Sequence, residues 1–251
     1  EIQIFGGGAH ANGAIDIQDF MIIPIGAKDY VESLEMTYLV YQAAGKIIEE
    51  KGLKAGVADE GGYWPSFQTN EEGFDLLLQS IELAGFKPYD DIGISVDIAA
   101  SEFYKNQKYV LRKDNKELNS EEFFEVIKNW INKYPIISIE DPFDQEDKVS
   151  FSKLNKLFGD KIQIVGDDLL VTNADFIYEA KKLNLCNAAL IKPNQIGTIS
   201  ETYEAVEAAK TNNMSQIISA RSGETEDVTI MHLAVAWGIN QIKVGSFSRS
   251  E

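Results

Sequence analysis

The chain has 251 residues, 44% hydrophobic and 25% charged, which is a globular composition with enough apolar material for a large core. A formal charge of −17 argues against a nucleic-acid partner, which would require a basic stripe. The single Cys186 excludes an internal disulfide framework and fits a reducing, cytoplasmic compartment, and no run approaches the roughly 18 apolar residues of a membrane span.

The first segment, from Phe5 to Gly26, reads as a glycine-rich loop holding His10, followed by a strand over Phe20–Ile25. Leu34, Tyr38, Tyr41, Ala44 and Ile48 have helical spacing, so Tyr30–Lys51 is predicted as a helix stopped by Gly52. A loop with the adjacent acids Asp59 and Glu60 before two glycines leads to a second predicted helix over Asn70–Gly85, with Asn70 as its N-cap.

A strand ending at Asp97 follows, then an excursion with a small hairpin over Lys105–Arg112. Asn119-Ser-Glu-Glu is a capping pattern for a helix over Ser120–Tyr134. Strand and helix then alternate: a strand to Glu140, a helix over Asp147–Phe158, a strand to Asp167 and a helix over Asn173–Leu183. The alternation continues through a strand to Lys192, a helix over Ile199–Asn212, a strand over Gln216–Ser219, a helix over Thr225–Trp237 and a last strand carrying Lys243. Strand ends recur about every 25 residues, the period of βα units closing into a barrel. The prediction is one α/β domain over residues 1–251, a TIM-like (β/α) barrel. The start at Glu1 and the absence of a helix after the last strand read as a barrel cut short.

Four Ile- and Val-rich runs break off at Asp97, Glu140, Asp167 and Lys192. Runs of this kind suit strands buried on both faces of a parallel sheet, and barrel sites form at the carboxyl ends of such strands. Three carboxylates there are hard oxygen ligands of the type Mg²⁺ prefers, and no Cys or His stands at a strand end to make a zinc site. Burial and neighbouring positive charge would lower the Lys192 pKa and make it a usable base. Lys243 and the Arg221-Ser222 pair add positive charge and hydrogen-bond donors, so the pocket suits an anion bearing carboxylate and phosphate groups. The predicted chemistry is proton abstraction beside a carboxylate, with metal ions bearing the charge that develops.

The strings GGGAHANGAIDIQDFMI, ADEGGYWPS, SVDIAASEFY, SIEDPFDQED, GDDLLVTN, IKPNQIGTISET, SARSGETED and IKVGSFSRSE, in this order, resemble the enolase (phosphopyruvate hydratase) family across nearly the whole chain. The resemblance implies an enolase-type barrel and interconversion of 2-phosphoglycerate and phosphoenolpyruvate in glycolysis. Asp97, Glu140 and Asp167 would bind Mg²⁺, Lys192 would take the C2 proton, and Glu60 would assist departure of the C3 hydroxyl. Lys243 would hold the substrate carboxylate, Arg221 and Ser222 the phosphate, and His10, Gln18 and Asp19 would line the pocket. It also implies a homodimer, together with an N-terminal lid domain and a closing C-terminal helix that are missing here, so that the fragment by itself would be weakly active. Asp19 stands where the family has Glu, Ala220 where it has a pocket His, and Pro193 where it has Val. The first two departures lie on the side that handles leaving water and phosphate. They keep open a paralogue acting on a related phosphonate or phospho-carboxylate, with a non-catalytic enolase-like binding protein as the third alternative. His232 and Cys186 are predicted to be structural.

Overall fold

The computed structural model describes residues 1–249 except 12 and 14, so parts of the first and last motif strings lie outside the described residues. The elements are β1 (Ile2–Gly6), β2 (Asp19–Ile23), α1 (Tyr30–Glu50), β3 (Lys54–Val57), β4 (Tyr63–Pro65), α2 (Asn70–Leu83) and β5 (Gly93–Asp97). They continue with β6 (Tyr104–Lys105), β7 (Lys108–Leu111), β8 (Lys116–Leu118), α3 (Ser120–Lys133), β9 (Ile136–Glu140), α4 (Lys148–Phe158) and β10 (Gln163–Gly166). The remainder are α5 (Ala174–Leu183), β11 (Ala188–Ile191), α6 (Pro193–Ile196), α7 (Ile199–Thr211), β12 (Ser215–Ile218) and α8 (Thr229–Trp237).

The main sheet has the order β12-β11-β10-β9-β5-β2-β1-β4-β3, and parallel bridges from Ile242 to Ile218 and from Val244 to Ile2 close it into a ring. β5, β9, β10, β11 and β12 run parallel, as the strand–helix alternation predicts. β2 runs antiparallel to both β1 and β5, which the predicted uniform barrel did not include. The reason is the connection: among its described residues the link from β1 to β2 holds no α-helix to cross over the sheet, and a short link of that kind returns the chain antiparallel. β1 itself was missed, because the glycine-rich stretch after it dominates the local sequence.

The segment carrying Lys243 makes isolated bridges rather than a full strand. Side chains alternate along extended backbone, so Ile242 and Val244 face one way and Lys243 points into the barrel. Lys105–Arg112 widens into a three-stranded excursion, β6-β7-β8, beside the barrel.

Helix ends follow local chemistry. Asn119 and Glu122 form a reciprocal capping box on α3, and Asp29, Asp147, Asn173 and Thr198 cap α1, α4, α5 and α7. The N-cap of α2 is Thr69, not Asn70. Asn70 is fully buried, and its amide group bonds Asp16 and Asp114, pinning the loop that leads into β2. α8 begins at Thr229, four residues later than predicted, because residues 222–228 form a loop over the barrel mouth. No helix among the described residues is long and apolar enough to cross a membrane. Cys186 is buried and free, while His232 lies on the exposed side of α8.

Candidate active site

A cavity of about 580 Å³ opens at the carboxyl end of the parallel strands. Its lining includes His10, Gln18, Glu60, Asp97, Asp167, Lys192, Arg221, Ser222 and Lys243, nine of the eleven predicted site residues. Glu140 and Asp19 are buried and do not line it, but both contact Lys243, which does. Asp19 is therefore not a wall residue, although it was expected to contact the ligand.

Strand register produces this grouping. Asp97 lies opposite Glu140 across β5 and β9, and Asp19 lies opposite Asp97 across β2 and β5. Lys243 Nζ projects among them, 2.9 Å from Asp97 Oδ2, 2.8 Å from Glu140 Oε1 and 3.6 Å from Asp19 Oδ2. Gln18 Nε2 donates to Asp97 Oδ2 at 3.1 Å, and the Ala99 backbone N–H donates to its other oxygen at 3.0 Å. Lys192 Nζ lies 2.5 Å from Asp167 Oδ2, and Gln195 Nε2 donates to Asp167 Oδ1 at 2.9 Å. Thr172, in a left-handed conformation that strains a β-branched residue, accepts the Lys192 backbone N–H at 3.0 Å and donates to Gln195 at 2.6 Å.

Burial first, and then the charge of Asp97, push the Glu140 carboxyl well above the usual range. Burial opposes ionisation of Asp97 too, but Lys243 and a hydrogen bond shared with Glu140 outweigh it, and its net shift is downward. Burial works to depress Lys192, yet the adjoining Asp167 carboxylate outweighs it with Lys243's repulsion, and the ammonium is held above its ordinary pKa. The expectation of a depressed lysine is therefore corrected: it included burial and cationic neighbours but omitted the acid in direct contact.

The far wall carries the predicted acid. Glu60 Oε1 accepts a short hydrogen bond from Ser222 Oγ, which lies 3.4 Å from His10 Nε2, while His10 Nδ1 is 3.6 Å from Asp59. The Arg221 backbone N–H donates to Asn194 Oδ1 at 3.0 Å, tying the loop after β12 to α6. Ala220 lines the cavity beside them.

Among the described residues, the acids with ligand oxygens all within 4.8 Å of one another are Asp141, Asp167 and Asp168. Only Asp167 belongs to the predicted metal set. Asp141 is less suited to ligate than its position suggests, because its two oxygens accept the backbone N–H groups of Asp167 at 3.1 Å and Asp168 at 2.6 Å. It anchors the loop after β10, and sequence reasoning missed it because an acid before proline looks like an ordinary turn. The acids at the mouth fit a hard divalent cation: Asp97, Glu140, Asp167 and Asp168, with Asp19 and the anchoring Asp141 beside them, crowd against Lys192 and Lys243, the two lysines paired with them among the described residues. The excess of carboxyl groups appears directly in the upward shifts of Glu140, Asp141 and Asp19, each caused first by burial and then by a neighbouring acid.

The family described as "Enolase, C-terminal TIM barrel domain" matches residues 1–251. The chain is 49% identical over 253 residues to Enolase 1 of Desulfitobacterium hafniense (strain Y51), covering 100% of this chain and 58% of that protein. It is 47% identical over 250 residues to an enolase of Ehrlichia ruminantium (strain Welgevonden) and 48% identical over 250 residues to one of Ehrlichia chaffeensis (strain ATCC CRL-10679 / Arkansas). Each match covers 100% of this chain and 59% of the relative. The chain thus spans somewhat over half the length of these curated relatives. Its ring of strands, its acid-and-lysine mouth and these matches together make it a member of the enolase C-terminal TIM barrel family.

Proposed function

We propose that the natural full-length protein containing these residues is a lyase interconverting 2-phosphoglycerate and phosphoenolpyruvate in glycolysis, in the cytoplasm and as a homodimer, with residues 1–251 as one catalytic barrel domain. The observation that carries the proposal is the pairing of Lys192 and Glu60 on the lining of one cavity that also holds Lys243 and Arg221. A base and an acid at separate points of one anion pocket are what removal of a C2 proton and a C3 hydroxyl require.

In this reading Arg221 and Ser222, with His10, hold the phosphate, and Lys243 and Gln18 orient the carboxylate end. Lys192 takes the proton from C2, and Glu60 gives a proton to the departing hydroxyl, which leaves as water. Lys192 acts once its hold on Asp167 loosens, since the ammonium form cannot accept a proton. Asp97, Glu140 and Asp167 are the proposed holders of Mg²⁺, with Asp168 beside them. When bound, Mg²⁺ would neutralise these acids and stabilise negative charge on the substrate carboxylate. Turnover of 2-phosphoglycerate by the full-length protein should fall about 10²–10⁴-fold in Lys192→Ala, measured at a temperature where thermal unfolding shows the variant still folded. Retention of turnover by that variant would remove the proposal's base.

The cavity position of Ala220 favours a second reading, a paralogue acting on a related phosphonate or phospho-carboxylate. Comparing kcat/KM for 2-phosphoglycerate in the parent and in Ala220→His separates the two. A gain indicates a drifted enolase, whereas little change or a loss indicates a respecialised pocket.

A further inference from the structure

We propose that Gln3 is the positioning residue for the acid side of this site, aiming Glu60 through a single buried amide; the inference rests on the reading of Glu60 given above. Gln3 is fully buried on β1 and does not line the cavity. Its Oε1 accepts the backbone N–H of Gly62 at 2.7 Å, two residues after Glu60. Because a backbone N–H can only donate, this contact fixes which end of the amide faces the loop. Nε2 must then point the other way, where it donates a short hydrogen bond to Asp19 Oδ1 and lies 3.4 Å from Glu60 Oε2.

Two glycines leave the amide its space. A Cβ at Gly62 would sit 2.5 Å from Gln3 Oε1, and one at Gly6 would sit 3.1 Å from Nε2 and 2.3 Å from the Ala58 Cβ. The amide is thus held between two backbones with its direction set.

Glu60 has one oxygen on Ser222 and the other on Gln3. Ser222 is exposed and belongs to the proposed phosphate site, so a bound phosphate competes for its hydroxyl. Gln3 does not line the cavity, and it alone would hold Glu60 while the hydroxyl leaves.

The test uses the full-length protein with Mg²⁺ and 2-phosphoglycerate and follows two rates: exchange of the C2 hydrogen with D₂O, which reports Lys192, and formation of phosphoenolpyruvate, which also needs Glu60. Gln3→Glu keeps the acceptor for Gly62 but replaces both N–H donors with an oxygen; Gln3→Met keeps the length and removes all polarity. In both variants dehydration should fall about tenfold or more relative to C2 exchange, with KM within about threefold of the parent. Rates that fall in parallel, or a ratio that does not change, would overturn the proposal. Absence of C2 exchange in the parent would instead refute the reading of Lys192. In that case thermal unfolding decides on Gln3, because Gln3→Glu combined with Glu60→Gln exchanges donor and acceptor across the contact. The double variant should recover at least half of the Tm lost in Gln3→Glu, and simple addition of the two losses would overturn the assignment.

Discussion

Replacing Asp141 distinguishes a ligand from an anchor within the acidic cluster at the barrel mouth. Its two oxygens accept the backbone N–H groups of Asp167 and Asp168, and its backbone is held at φ 40°. Asp141→Ala leaves two buried donors unpaired, at about 1–3 kcal/mol each, and places alanine in the left-handed region at about a further 1 kcal/mol. Some of that cost is returned, since burial first and then Asp167 and Asp168 push the Asp141 carboxyl well above its usual range, so removing its charge relieves repulsion. The net loss should be about 3–5 kcal/mol. Asp141→Asn keeps one acceptor and tolerates the conformation, so about 1–2 kcal/mol is expected. Urea unfolding with and without Mg²⁺ measures both effects. The anchor role predicts that Asp141→Asn loses stability equally in the two conditions and keeps its Mg²⁺-induced gain in Tm, whereas Asp167→Ala loses that gain. If Asp141→Asn unfolds like the parent but no longer responds to Mg²⁺, the anchor argument is wrong and Asp141 is a ligand.

Three further outcomes follow from particular contacts. Burial first, and then the charges of Asp167 and Asp97, raise the Asp168 carboxyl to about 6. A folded-state pKa above the unfolded value means the folded state binds more protons between about pH 4 and 6, so this group's contribution to stability falls as pH rises through that window. Asp168→Asn should flatten the fall and, after allowance for solvent screening of a partly exposed group, stabilise the metal-free protein at pH 7 by about 1 kcal/mol; an unchanged pH–stability curve would contradict this. Gly73→Ala would place a methyl 2.4 Å from the ring of Phe20, which is fully buried on β2. Overpacking should outweigh the roughly 1 kcal/mol gain in helix propensity and lower stability by about 1–3 kcal/mol, so a raised Tm would show that the ring can move. Asn119→Ala removes the capping box of α3 and should cost about 1 kcal/mol, seen as a Tm loss of about 2–4 °C with kcat unchanged.

What the sequence made legible divides along physical lines. Asp97, Glu140, Asp167 and Lys192 were readable because apolar β-branched runs mark buried strands and an ionisable group marks their ends. Their convergence follows from parallel pairing alone. The direction of β2 was not readable, since strand propensity carries no sign and the glycine-rich link from β1 gives no length signal for a crossover. Gln3 escaped notice because one polar residue in a short apolar run looks like the solvent side of a strand. Its importance lies in contacts with Gly62, Asp19 and Glu60, which only the folded chain brings together. The charged state of Lys192 was misjudged for a related reason. Burial can be guessed from a strand-end position, but a carboxylate at 2.5 Å depends on the register of the neighbouring strand.

The ring closes between residues far apart in the chain: Gln3 N–H donates to the Gly245 carbonyl at 3.1 Å, Val244 N–H to Glu1 at 3.4 Å and Lys243 N–H to Ile218 at 2.9 Å. A nascent polypeptide emerging from the ribosome therefore holds β12 and the Ile2 end of β1 as open sheet edges until residues 242–245 have been made. Contacts of such long separation form late, and open edges recruit other chains in the meantime. Premature termination before Ile242 should thus leave a species prone to edge-to-edge association and in need of chaperones. In such a species Lys243 would also be absent, leaving the acids at the mouth to repel one another.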